Sequence, residues 1–191
     1  MEDRHAAARD VVRQLSIGEH WLTVAEPPIP VPLLEAITDS LRAWERNDLD
    51  WLIRNCHPQL VIRQVPEIPD SRTYVGPDAL VEALLDWPRQ WEDFSMEPRR
   101  VLAADDEHLI VVALHGGRPH SMDIYVEAEI AFLFRYLDGL LVTWDMFLTV
   151  DEALGHAAER RAHADDDRAA ERDGGEGAQE AGAEEARADH R

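Results

Sequence analysis

Glu127 and Glu129 lie two residues apart in a long β-rich run, Met122 to Tyr136. Side chains two apart on a strand share a face, so Tyr125, Glu127, Glu129, Ala131 and Leu133 form one row. Two carboxylates on a buried face hold their pKa values apart, and that separation is what acid–base chemistry needs. The alternative is that they pair with Arg63, Arg100 or Arg135, or reach solvent. Glu67 adds an acid in the loop that begins at Pro66. Trp44, Trp144, Met146 and Leu148 are apolar groups able to line a pocket, unless they are plain core. His115 and His120 flank Gly116–Pro119, with Asp123 nearby. Imidazole and carboxylate can ligate a metal, but hairpin ends often carry exposed polar groups, and no metal is expected. Cys56 lacks an evident base and reads as a buried structural thiol. The chain contains no G-x-S-x-G, phosphate-binding or dinucleotide motif, and no cofactor is expected.

These groups need a scaffold. Leu34, Ile37, Leu41 and Trp44 recur at helical spacing. Asn47 and Asp48 break that helix and cap a short second one through Leu49, Leu52, Ile53 and Cys56, which Pro58 ends. Leu60–Val65 reads as a strand, with a brief pairing at Thr73–Val75. Gly76 and Pro77 open a third helix whose buried side carries Leu80, Leu84, Trp91 and Phe94. Pro88 should kink or break it near residues 84–88. The period then changes to two. Met96–Ala104 and His108–His115 read as strands, Gly116–Pro119 as a turn, Met122–Tyr136 as the long strand and Leu140–Leu148 as the last. Asp138-Gly139 is a hairpin signal. Asp151–Leu154 starts a closing helix. Helices followed by mostly antiparallel strands imply an α+β fold with helices on one face of a bent sheet.

Composition limits the setting. Of 191 residues, 39 are Asp or Glu and 19 are cationic, all of them arginine, for a net charge of −20. Nucleic acid and anionic membrane surfaces want the opposite sign, so neither is an expected partner. The longest apolar run, Leu109–Leu114, is far below the roughly 20 residues a bilayer span requires. No secretory signal opens the chain, and a cytoplasmic setting is expected. Three segments follow. Residues 1–32 form an arm rich in proline, 33–154 the folded domain, and 155–191 an acidic Ala/Glu/Arg tail. From Gly155 onward there is no Val, Ile, Leu, Met, Phe, Trp or Tyr, so the tail is expected to be disordered, with Ala157–Ala164 extending a preceding helix at most.

The ordered series of elements resembles the SnoaL-like proteins of the nuclear transport factor 2-like superfamily. The resemblance rests on Glu45–Asp50 at the first helix corner, Pro66–Asp70, Tyr74–Pro77, Trp91–Phe94, Asp138-Gly139 and Asp151–Leu154. It implies a cone-shaped α+β barrel, with three N-terminal helices packed on a curved, mostly antiparallel sheet and a pocket between them. It also implies proton-transfer chemistry of the isomerase, cyclase or hydrolase kind in many relatives, without a cofactor. On the resemblance, the isomerase-type base position is Gln64, the oxyanion tyrosine falls near Ser40 and the second acid near Ala131. The last-strand acid of cyclases and hydrolases falls at Met146. None keeps its chemistry. With Ala131 facing the pocket, Glu127 and Glu129 face it too, so any catalysis is expected to run through Glu129, assisted by Glu67 or Tyr125. Gln64, Glu127, Ala131, Trp44, Trp144, Met146 and Leu148 are then the expected pocket lining.

Two functions remain open at this point. One is a pocket for a small apolar or polyketide- or steroid-like molecule, with or without chemistry. The other is a non-catalytic interaction or assembly module built on the arm and tail. A homodimer is expected through the outer sheet face, where Ile130, Phe132 and Phe134 on the long strand and Asp145 and Phe147 on the last would otherwise be exposed.

Overall fold

The computed structural model describes residues 29–67 and 71–163. The chain divides into two units, Met1–Leu154 and Gly155–Arg191. In the first, helix α1 (Val31–Glu45) enters through Pro32, where a missing amide donor costs nothing. It buries Leu33, Ile37 and Leu41. Asn47 takes a positive φ at the corner. Helix α2 (Leu49–Arg54) is capped by Asp48, whose side chain accepts from the Trp51 N–H at 3.0 Å. Strand β1 (Cys56–Arg63) follows at once. Pro58 therefore lies inside a strand rather than at a helix end. It cannot donate to the ladder, and there the pairing jumps from Cys56–Leu141 to Val61–Thr143.

Strand β2 (Thr73–Val75) pairs with β1, and helix α3 (Ala79–Asp86) buries Ala79, Leu80, Val81, Ala83, Leu84 and Leu85. The helix stops before Pro88, which opens a single 3-10 turn, Pro88–Gln90. Strand β3 (Trp91–Ala103) begins there, so Trp91 and Phe94 belong to the sheet and not to the helix. Strand β4 (His108–Pro119) runs straight through Gly116–Pro119, pairing Trp91 with Pro119 and Glu92 with Arg118. These glycines are strand residues because both faces are crowded. A Cβ on Gly116 would collide with the Tyr125 hydroxyl and lie 2.8 Å from Ser95 Oγ, and one on Gly117 would lie 3.2 Å from the Trp91 side chain. The connection instead occupies 120–125, and β5 runs Val126–Leu137. Asp138 and Gly139, both at positive φ, turn the chain into β6 (Leu140–Phe147).

The sheet order is β2-β1-β6-β5-β4-β3. Every pairing is antiparallel except β1 with β6. The edges β2 and β3 do not meet, so the sheet is curved but open. Two core clusters, one around α2, α3 and β1 and the other around α1, β4 and β5, fill the space between helices and sheet. Thr149 and Glu152 cap each other's backbone N–H at 3.2 Å and start a last helix at residue 150. In the second unit residues 155–163 are helical. The arm up to residue 28, the tail from 164 and positions 68–70 lie outside the described residues.

No helix among the described residues is long and apolar enough to cross a membrane.

Candidate functional site

The two-residue period of the sheet decides which side chains face the helices. On β6 these are Leu141, Trp144 and Met146, and on β5 they are Phe132, Phe134 and Tyr136. Val111 and Ala113 of β4 and Phe94, Met96 and Pro98 of β3 continue the wall. Opposite them stand Ile37, Ser40, Leu41 and Trp44 of α1, Leu52 of α2, and Leu80, Ala83 and Leu84 of α3, with Trp87 beyond it. Together they enclose a cavity with about 130 Å³ of room for the centres of water-sized molecules. One water needs roughly 10–15 Å³ by that measure, so the space is about tenfold larger than a trapped solvent molecule requires.

No Asp, Glu, Arg or His lines this cavity among the described residues. Its polar groups are few. Tyr136 meets Ser40, near where the resemblance would put an oxyanion tyrosine, and burial pushes its phenol up to about 12. The Ser40 hydroxyl donates to the Ala36 carbonyl at 2.8 Å. Burial likewise raises the Cys56 thiol to about 12, and its sulfur sits 3.2 Å from the Leu52 carbonyl. Asn55 donates to the Trp51 carbonyl at 2.9 Å.

Behind Trp87 the wall is backed by an aromatic box. His115, 1% exposed, has ring centroids of Trp91, Phe94 and Trp87 at 4.3, 5.2 and 5.5 Å, all edge-on. Burial drives its imidazole down from 6.5 to about 4, so it is neutral at pH 7. Sequence reasoning missed this box, because it depends on Trp91 lying over Gly117 within a strand. His115 does not join His120, which is exposed and bonds the Arg89 carbonyl at 3.0 Å.

The expected site residues separate into two groups. Trp44, Trp144 and Met146 line the cavity. Ala131 is buried on the opposite face of β5, and Leu148 lies past the end of β6, 44% exposed. Glu127 and Glu129 are on the Ala131 face and are exposed, Glu129 lying 3.9 Å from Arg100. Tyr125 is half-exposed, its hydroxyl 3.4 Å from Ser95 Oγ. Glu67 is exposed too. Glu129, Glu67 and Tyr125 are therefore not brought together, and none reaches the cavity. Gln64 is buried, but its amide is committed elsewhere: it donates to Tyr74 Oη at 3.3 Å and accepts from the Arg72 N–H at 3.1 Å, pinning β2 to β1. The row Ile130, Phe132 and Phe134, expected on an outer dimer face, points toward the helices instead. The outer face carries Ile110, Val112, Ala131 and Leu133, all buried within the single chain, and Asp145, held by Arg63 at 2.7 Å.

Solved structures share this architecture. A nuclear transport factor 2-like protein from Burkholderia thailandensis is 19% identical, over 66% of this chain and 98% of its own, with a TM-score of 0.51. A protein from a soil-derived mobile gene cassette is 12% identical, over 63% of this chain and 91% of its own, with a TM-score of 0.50. At such identities the likeness is one of fold, and it defines the class as the nuclear transport factor 2-like cone. Residues 37–144, more than half of the chain, match the SnoaL-like domain, and the chain belongs to that family. No curated protein matches the sequence.

Proposed function

We propose that this SnoaL-like domain holds a small apolar molecule in the cavity between its helices and its sheet. The observation that carries the reading is the lining itself: twenty-four residues, none of them Asp, Glu, Arg or His. Tyr136, Cys56 and the nearby His115 are all uncharged at neutral pH. A fully neutral, aromatic-rich enclosure rewards transfer of apolar surface out of water, at about 25 cal/mol per Å². It gives no support to an ionised substrate. The same neutrality favours binding over proton transfer, since general base catalysis needs a group poised to take a proton near the working pH. A phenol and a thiol near 12 and an imidazole near 4 lie well away from it.

The test uses the full chain and the neutral dye Nile red. Wild-type protein is expected to bind it with a rise in fluorescence. Ala113→Phe, which fills the cavity from β4, is expected to bind at least tenfold more weakly while keeping a cooperative melt. Equal binding by both proteins would place the dye elsewhere and end the proposal.

A further inference from the structure

The outer face of the sheet is closed, although the helices pack on the inner one, against Ile62, Val111, Phe132 and Met146. On the outer face Ile110, Val112 and Leu133 are 0% exposed and Ala131 1%. The cover is graded along the strands. It is complete over His108 and Thr143, next to the β3–β4 and β5–β6 turns, and continues over Asp145. At Leu114 it is partial, and Glu129 and Glu127 beyond it are exposed. Three adjacent strands, β4, β5 and β6, carry the closed patch. At the usual strand spacing its width is about 10–15 Å, which one helix or one folded-back segment fills.

That burial comes from within this one chain, and few segments can supply it. Among residues 148–154 only Ala153 is buried, while Leu148 and Leu154 are 44% and 40% exposed. From Gly155 onward there is no large apolar side chain. The arm has them, in Val11, Val12, Leu15, Trp21 and Leu22. It also joins the domain in the right place. Pro32 and Leu33 share a groove with Asp106, Glu107 and residues 137–140, so the chain enters α1 at the end of the sheet where the outer cover is complete. The 28 residues before Ile29 reach about 90 Å when extended, against about 40 Å for the 12 residues of β5. We infer that residues 11–22 of the chain's own arm lie across the outer sheet face and close it against a second copy. Bare, that face would be an apolar patch of the kind that recruits partners. A tethered segment meets it at an effective concentration on the order of millimolar, well above that of a second copy in dilute solution. The full chain is therefore a monomer.

The experiment uses the full chain, and none of its readouts depends on a ligand in the cavity. Ala131→Cys places a thiol under the cover, and peptide mass spectrometry separates its labelling from that of Cys56. With the native arm it should react with iodoacetamide far more slowly than in guanidinium. Adding Leu15→Asp and Trp21→Asp should speed that labelling at least about tenfold, because the cover then opens at lower cost. The same two substitutions should turn a monomer in sedimentation into a dimer or larger species while the melt stays cooperative. Separately, photoreactive benzoylphenylalanine in place of Trp21 should cross-link to β4, β5 or β6 at monomer mass. That measurement stands even where the charged variants fail to fold. Labelling that is fast with the native arm, or that the arm substitutions leave unchanged within about twofold, overturns the inference. So does a cross-link to another part of the chain. A cross-link found only at dimer mass overturns it as well, since a second copy's arm would then be the cover.

Discussion

His115→Phe tests the aromatic box through its pH dependence. The imidazole titrates at about 4 in the folded protein against 6.5 in the open chain, lowered by burial. The unfolded chain therefore takes up a proton first as the solution is acidified. The sign follows: stability from the neutral imidazole is complete above pH 6.5 and is lost as pH falls toward 4. At 1.36 kcal/mol per tenfold in the constant, the whole span is about 3 kcal/mol, of which about 2 is lost by pH 5. Phenylalanine fits edge-on among Trp87, Trp91 and Phe94 and removes a nitrogen with no partner. The variant should therefore stand within about 1 kcal/mol of wild type at pH 7.5. Urea unfolding of both proteins at pH 7.5 and 5.0 reads the difference, with groups common to both cancelling. Wild type should lose about 2 kcal/mol more than the variant over that interval. Equal losses would mean that water or a partner reaches His115, and the closed box would be refuted.

Three further outcomes follow from local geometry. Asp48→Ala removes the cap on the Trp51 N–H and should cost about 1 kcal/mol in urea unfolding; no change would show that α2 does not need it. Gly117→Ala forces a methyl to 3.2 Å from Trp91 and 3.3 Å from the Glu92 carbonyl, and should cost roughly 1–3 kcal/mol and alter the tryptophan near-ultraviolet circular dichroism. The Cys56 thiol, buried and pushed to about 12, should resist iodoacetamide at pH 8 in the folded protein and react fully in guanidinium; labelling in the folded state would show that the cavity floor opens.

Much of the fold was legible because it rests on local signals. The helical spacing of Ile37 and Leu41, the Asp48 cap and the Asp138-Gly139 turn each act within a few residues, and each is found. The boundaries that moved depend on tertiary context. Trp91 and Phe94 continue a helical pattern on paper, yet Pro88 ends that helix and the edge of β4 captures them. Gly116 and Gly117 carry a turn signal in isolation. Their lack of a Cβ serves close approach instead, with a tyrosine over one face and a tryptophan over the other.

The site was half legible, and one residue accounts for the division. After a two-residue turn Leu137 pairs with Leu140. An unbroken ladder from there would set Leu133 beside Trp144 and Ala131 beside Met146, putting Glu127 and Glu129 on the face of Trp144 and Met146. The register instead slips between Tyr136–Leu141 and Arg135–Thr143, leaving Val142 as an extra residue in β6. Trp144 then meets Phe134, and Met146 meets Phe132. A one-residue slip exchanges the faces of a strand, and here it replaces two carboxylates with two phenylalanines along the cavity. Trp144 and Met146 share the cavity face because their phase is set within β6, whereas the phase of β5 relative to them is set by a bulge that no residue type announces. The chemistry of the site follows from that slip: with the acids turned outward to Arg100 and solvent, what faces the cavity from β5 and β6 is a wall of rings and apolar side chains without a carboxylate.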